Sequence, residues 1–169
     1  MFWSRPDRRV LIVCTANVCR SPLAEGLLRA RFQAMGLSRR IQVRSAGTRV
    51  AQRGRRPDQR AVKLAAEMGV NIRGIRARQA DTAMILRSDV VLVMEEAHRR
   101  ELEDLFPDGE APVGIQLLAS YLPDAEVASD IPDPYFGDWQ GFTEVFLRID
   151  AALEGFANTQ ARALIGLAS

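Results

Sequence analysis

Five residues, Thr15-Ala16-Asn17-Val18-Cys19, separate Cys14 from Arg20, and Ser21-Pro22 follow directly. A loop of this length at a helix start curls so that successive backbone N–H groups converge on one point, where the helix dipole also favours negative charge. That point suits a tetrahedral phosphate oxyanion. Arg20 adds a planar, two-pronged donor for two phosphate oxygens, which a lysine does not reproduce. The same dipoles and guanidinium favour thiolate over thiol at Cys14, making its sulfur a nucleophile. Ser21 has two compatible uses, donation to that thiolate and capping of the helix. Without chemistry, Cys14 reads as a buried thiol, Arg20 as a surface ion-pair partner and Cys19 as a small buried loop residue.

Such a loop needs a strand before it and a helix after it. The run Val10-Leu11-Ile12-Val13 is apolar without alternation and rich in branched residues, which predicts a strand buried in a parallel sheet. Residues 21–35 predict a helix, with Pro22 at a first helical position and Gly36 as the stop. A short strand at 41–44, a polar loop at 47–56 and a helix at 57–68 closed by Gly69 follow. Further on come a strand at 90–94, a helix at 95–105 and a strand at 113–117. A loop rich in Pro and Asp covers 122–137, and an amphipathic helix covers 141–156. Strands alternating with helices predict an α/β three-layer sandwich, a four-stranded, mostly parallel twisted sheet flanked by helices on both faces. Ligands of such sheets bind beyond the carboxyl ends of the strands, where Cys14 leaves the first one.

At 169 residues, 47% of them hydrophobic and 26% charged, the chain fits a single domain, 1–169, with its core at about 9–157. The net charge of +2 conceals 21 basic and 8 acidic side chains in residues 1–100 against 2 and 13 in the remainder. The two segments attract each other. No basic patch with interleaved aromatics accompanies them, so no nucleic-acid partner is expected. Arg8 and Arg9 precede an apolar run too short for a signal peptide, and no stretch suffices to span a bilayer. A cytoplasmic protein is expected. Two cysteines in one short stretch argue for reduced thiols with a local role, and a single histidine, His98, without a CxxC pair leaves no metal site. No cofactor is expected. His98 reads as a surface helix residue, and Arg49, Arg53, Arg55 and Arg56 as a solvated loop or as a basic border of the cleft.

The segment from Cys14 to Pro22, followed in order by Ser45-Ala46-Gly47-Thr48, Ala77-Arg78-Gln79 and Asp133-Pro134-Tyr135, resembles the low-molecular-weight protein tyrosine phosphatases. The resemblance implies that Cys14 attacks phosphorus to give a cysteinyl-phosphate. Arg20 and the loop of Thr15, Ala16, Asn17, Val18 and Cys19 then stabilise the phosphoryl oxygens, assisted by Ser21. Asp133, stiffened by Pro132 and Pro134, would protonate the leaving oxygen and later deprotonate the hydrolytic water. Asn17, in a left-handed conformation, and Ser45 would support the loop, and Tyr135 and Phe136 would sandwich an aromatic ring. Cys19 is either a plain loop residue or a trap for oxidised Cys14 as a reversible disulfide. The implied partner is a phosphorylated protein, such as a bacterial tyrosine kinase of polysaccharide export.

Thr15 opens an alternative, because members with Thr here include protein-arginine phosphatases. An arsenate reductase is disfavoured, since that branch uses further cysteines outside the loop. A phosphate-binding or redox-sensing module without catalysis is the remaining rival. Three positions depart from the family pattern. Ala16 replaces a usual Gly and requires a negative φ there. Ile75 replaces a His that supports Asn17, which thins the expected network. Ala51 replaces an aromatic and leaves that side of the pocket wide.

Overall fold

The computed structural model describes residues 6–109, 111, 113–123 and 130–165, of which 164 and 165 are described by backbone alone. Four strands, β1 (Arg8–Cys14), β2 (Ile41–Gly47), β3 (Val90–Val93) and β4 (Ile115–Leu117), form one sheet in the order β2-β1-β3-β4. Every pairing is parallel, with Val10 opposite both Val43 and Val90. Among the described residues five α-helices accompany it: α1 (Arg20–Ala34), α2 (Gln59–Glu67), α3 (Thr82–Leu86), α4 (Glu96–Glu103) and α5 (Trp139–Ile165). A 3₁₀ turn, Leu118–Tyr121, follows β4.

Side chains alternate across β1 and so divide the core in two. Val10, Ile12 and Cys14 pack with residues of α1, α2 and α5, while Leu11 and Val13 pack with Ile85 of α3 and Leu102 of α4. The three expected layers are present. Residues 20–28 of α1 are all buried, because this helix lies between the sheet, α2 and α5. The end of α1 follows from Gly36, whose φ of 72° is costly for any residue with a Cβ. Gly36 N–H donates to Gln33 O and Leu37 N–H to Phe32 O, the paired bonds of a Schellman stop.

Several boundaries differ from expectation. α3 was not expected; it exists because Asp81 Oδ1 accepts the Met84 N–H at 2.8 Å and caps a single turn that buries Ile85. α2 starts at Gln59, since Asp58 is its cap, and β4 is shorter than 113–117. α5 begins two residues earlier than expected, with Asp138 Oδ1 accepting the Gly141 N–H, and continues well past 156 through strong helix formers. Within the expected loop at 122–137, residues 124–129 lie outside the described residues.

From β1 the chain moves outward to β2, then returns across β1 to β3. Beyond the carboxyl ends of β1 and β3 this reversal opens a crevice, where doubly wound folds bind ligands. Cys14 ends β1 and Glu95 follows β3, so the two turns face each other there.

Candidate active site

The turn after β1 is shaped from outside. Thr48 N–H donates to Cys14 O, Arg49 N–H to Thr15 O and Asp58 N–H to Val18 O, at 2.7 to 2.9 Å. No acceptor among the described residues takes the backbone N–H groups of residues 15–19. Outward carbonyls and uncommitted N–H groups make the inside of the turn a cradle for an anion. Gly47 permits this, because a Cβ there would lie 2.5 Å from Thr15 O and 3.0 Å from the Ala16 carbonyl carbon. Asn17 is the single described residue other than glycine with positive φ, 55°, so Ala16 meets its requirement.

Asn17 supports the loop with its whole side chain. Its Nδ2 donates to Ser21 Oγ (2.8 Å) and Ser45 Oγ (2.9 Å), and its Oδ1 accepts the Arg78 N–H (3.0 Å). Ser45 Oγ donates to Glu25 Oε2 at 2.5 Å, and Glu25, 1% exposed, pairs with Arg29. The network closes through Glu25 and the Arg78 backbone, and the expected thinning at Ile75 is not seen. Ile75 is instead packed in the main core.

Cys14 is buried, with its Sγ 3.0 Å from Ser21 Oγ. Ser21 lies inside α1, whose cap residue is Cys19, and its hydroxyl serves Cys14, Asn17 and Ala46 O rather than the helix end. Arg20 is no surface residue, being 2% exposed. Its Nη1 donates to Glu95 Oε1 and to Ile131 O (2.8 Å), and its Nη2 reaches Thr15 Oγ1 (3.2 Å) and Asp133 Oδ2 (3.1 Å). Two carboxylates thus hold the guanidinium at the rim of the loop. Burial, with Asp58 and Cys14 nearby, pushes the Cys19 thiol well above the usual cysteine range.

A pocket of about 280 Å³ opens over the loop, lined by Cys14, Arg20, Arg55, Asp133, Tyr135 and Phe136 among others. Phe136 is almost fully exposed and outside the core, and it meets Tyr135, partly buried against the main core, edge to face at 5.0 Å. Arg55 reaches the Tyr135 hydroxyl at 3.3 Å, and Ala51 is not among the residues lining the pocket. Arg49 instead pairs with Glu101. Arg60 pairs with Asp58, donates to Tyr135 O at 2.9 Å and lies 4.5 Å over the Phe142 ring, tying α2 to the loop that carries Asp133. A larger groove of about 790 Å³ beside Arg56, Lys63 and Arg73 is lined by neither cysteine.

His98, expected at the surface, is 2% exposed and inside the site. Its Nε2 lies 2.9 Å from Thr15 Oγ1, and its Nδ1 accepts the Glu95 N–H at 3.2 Å. Burial and then Arg20 lower its pKa, against the opposing pull of Glu95, Glu101 and Asp130, which favours the neutral ring. Sequence reasoning missed Glu25, Arg60, Glu95 and His98. For Glu95 a signal existed: like Cys14, it directly follows a fully apolar strand.

A doubly wound sheet with a thiol at the floor of an anion cradle is the architecture of a cysteine-centred phosphate-binding enzyme. Residues 9–164 match the family described as low molecular weight phosphotyrosine protein phosphatase. A low molecular weight protein-tyrosine-phosphatase of Streptomyces coelicolor is 37% identical over 150 residues, covering 87% of this chain and 90% of the relative. Among solved structures, YfkJ from Bacillus subtilis superposes with a TM-score of 0.83 at 28% identity, covering 92% of this chain and 95% of that one. The arginine phosphatase YwlE, in a variant with a phosphorylated active-site serine, shares the fold at a TM-score of 0.79 and 22% identity, covering 89% and 94%. The chain belongs to the low-molecular-weight protein tyrosine phosphatase family, whose members are hydrolases of phosphoric monoesters. No helix among the described residues is long and apolar enough to cross a membrane.

Proposed function

We propose that the protein hydrolyses phosphotyrosine in phosphorylated proteins through a cysteinyl-phosphate on Cys14. The observation that carries this reading is the placement of Cys14 Sγ, 3.0 Å from Ser21 Oγ, at the floor of a loop whose carbonyls are tied outward. Ser21 donates to the sulfur once it is a thiolate, while Asn17 fixes the serine oxygen from the other side. The N–H groups of residues 15–19 and Arg20 take the phosphoryl oxygens, and the phosphoryl group displaces Asp133 from Arg20 Nη2.

The sulfur attacks phosphorus as the P–O bond to the leaving group breaks. Asp133 gives its proton to the departing oxygen. A water then attacks phosphorus, Asp133 takes the proton of that water, and the S–P bond breaks to release phosphate and regenerate the thiolate. The edge-to-face pair of Tyr135 and Phe136 beside the pocket offers an aromatic leaving group two ring faces. Thr15 Oγ1 reaches the same pocket, which keeps phosphoarginine as the competing substrate. In the redox reading, Cys19 condenses with a peroxide-generated sulfenic acid on Cys14 to form a disulfide, its proton leaving with the released water, and does so slowly because burial holds its thiol protonated.

Acid quenching during turnover of an aryl phosphate should leave phosphate on the Cys14 peptide, detectable by mass spectrometry. Asp133→Ala should slow poor leaving groups by roughly 10²- to 10⁴-fold and good ones far less. Turnover by Cys14→Ser, or equal slowing of both leaving-group classes by Asp133→Ala, would contradict the assignments.

A further inference from the structure

His98 is the chain's single histidine, fully buried beside the catalytic loop, and the reaction above gives it no task. Its hydrogen bonds define its state. Glu95 N–H donates to Nδ1, so that nitrogen carries no proton, and the proton of the neutral ring sits on Nε2. Nε2 therefore donates to Thr15 Oγ1 at 2.9 Å. Arg20 Nη2 donates to the same oxygen at 3.2 Å.

A hydroxyl oxygen has two lone pairs and one hydrogen. With both lone pairs of Thr15 Oγ1 engaged, its own O–H is its one remaining capacity, and no acceptor among the described residues takes it. Thr15 lines the pocket over Cys14, which is where that hydrogen is available. We infer that His98 is a positioning residue, which fixes the Thr15 hydroxyl as a hydrogen-bond donor to the phosphoryl group held over Cys14. The inference rests on the phosphatase reading above and deepens it: the cradle gains a side-chain donor whose direction is set from the first turn of α4 rather than from the loop itself. A protonated ring would turn an N–H against the Glu95 N–H. Burial and Arg20 oppose that state, and Glu95, Glu101 and Asp130 are the facing acids.

The two nitrogens of His98 can be separated by substitution. Asn places an acceptor near Nδ1 and keeps the Glu95 bond, but does not reach Thr15; Gln places an amide N–H near Nε2. Steady-state kinetics on a phosphotyrosine peptide should show kcat/KM lowered about tenfold in His98→Asn, the scale of one hydrogen bond, and partly regained in His98→Gln. Thr15→Val should lose a similar factor, and His98→Asn should cost nothing further in the Thr15→Val background. Phosphate inhibition should weaken in parallel. Multiplying losses in the double variant, or native kinetics in His98→Asn, would overturn the positioning role while leaving the phosphatase reading intact. Should His98→Asn fail to fold, Thr15→Val alone decides, and a native rate there overturns the inference. A native chain without Cys14-dependent turnover would overturn the underlying reading and this inference with it.

Discussion

At the scale of residues, the site separates two cysteines of one loop by their surroundings. Cys14 faces Ser21 Oγ and opens to the pocket, whereas Cys19 caps α1 with its thiol pushed up by burial and by Asp58. A thiol held protonated is a poor nucleophile. Iodoacetamide near pH 6 should therefore alkylate Cys14 and spare Cys19, as peptide mapping would show, with inorganic phosphate protecting Cys14. Equal labelling of both would contradict the division. The juxtaposition of Cys14, Asn17, Arg20 and Ser21, on which the proposed chemistry rests, was legible in the sequence, because these residues are local to one loop and their spacing encodes their geometry. Asp133 was legible through the resemblance.

At the scale of elements, the turn after β1 depends on the turn after β3. Glu95 and His98 sit 75 and 83 residues from the loop residues they bond, so no local pattern reveals them. Only the strand order, with β3 beside β1, brings them there. Glu25 and Arg60 stayed hidden for a related reason: each reads as an ordinary helix charge until the fold shows Glu25 buried and paired with Arg29, and Arg60 paired with Asp58 and bonded to Tyr135 O. The expected frame of four strands and four long helices was legible from apolar runs and Gly stops, while α3 and the start of α5 depend on the Asp81 and Asp138 caps.

The folded pKa of His98 lies below the ordinary value of about 6.5, so the unfolded chain takes up that proton first as pH falls. Stability carried by the neutral ring is fully present above about pH 6.5 and is lost as pH drops toward the folded value. The Tm of the native chain should thus fall more steeply between about pH 6.5 and 5 than that of His98→Asn, whose other acids are unchanged. Parallel slopes would show that the ring is not held neutral.

At the scale of the molecule, the uneven charge of the chain is resolved by folding. Arg20 with Asp133, Arg31 with Asp150 and Arg49 with Glu101 join the basic first part to the acidic remainder. Exposed pairs of this kind contribute about 0–1 kcal/mol each, so their consequence is local. The pair at Arg20 is the exception, because it sets Asp133, the proposed general acid, beside the guanidinium proposed to bind phosphate, at the rim of a small pocket. Arg55 and the two aromatic rings complete that rim, where the proposed function places the entry of a phosphorylated side chain. One peptide sequence carrying phosphotyrosine, phosphoserine or phosphoarginine, assayed side by side with Cys14→Ser as the blank, tests the central claim most directly. Cys14-dependent turnover of the phosphotyrosine peptide, well above the other two, is the predicted result; no Cys14-dependent turnover, or faster release from phosphoarginine, would contradict it.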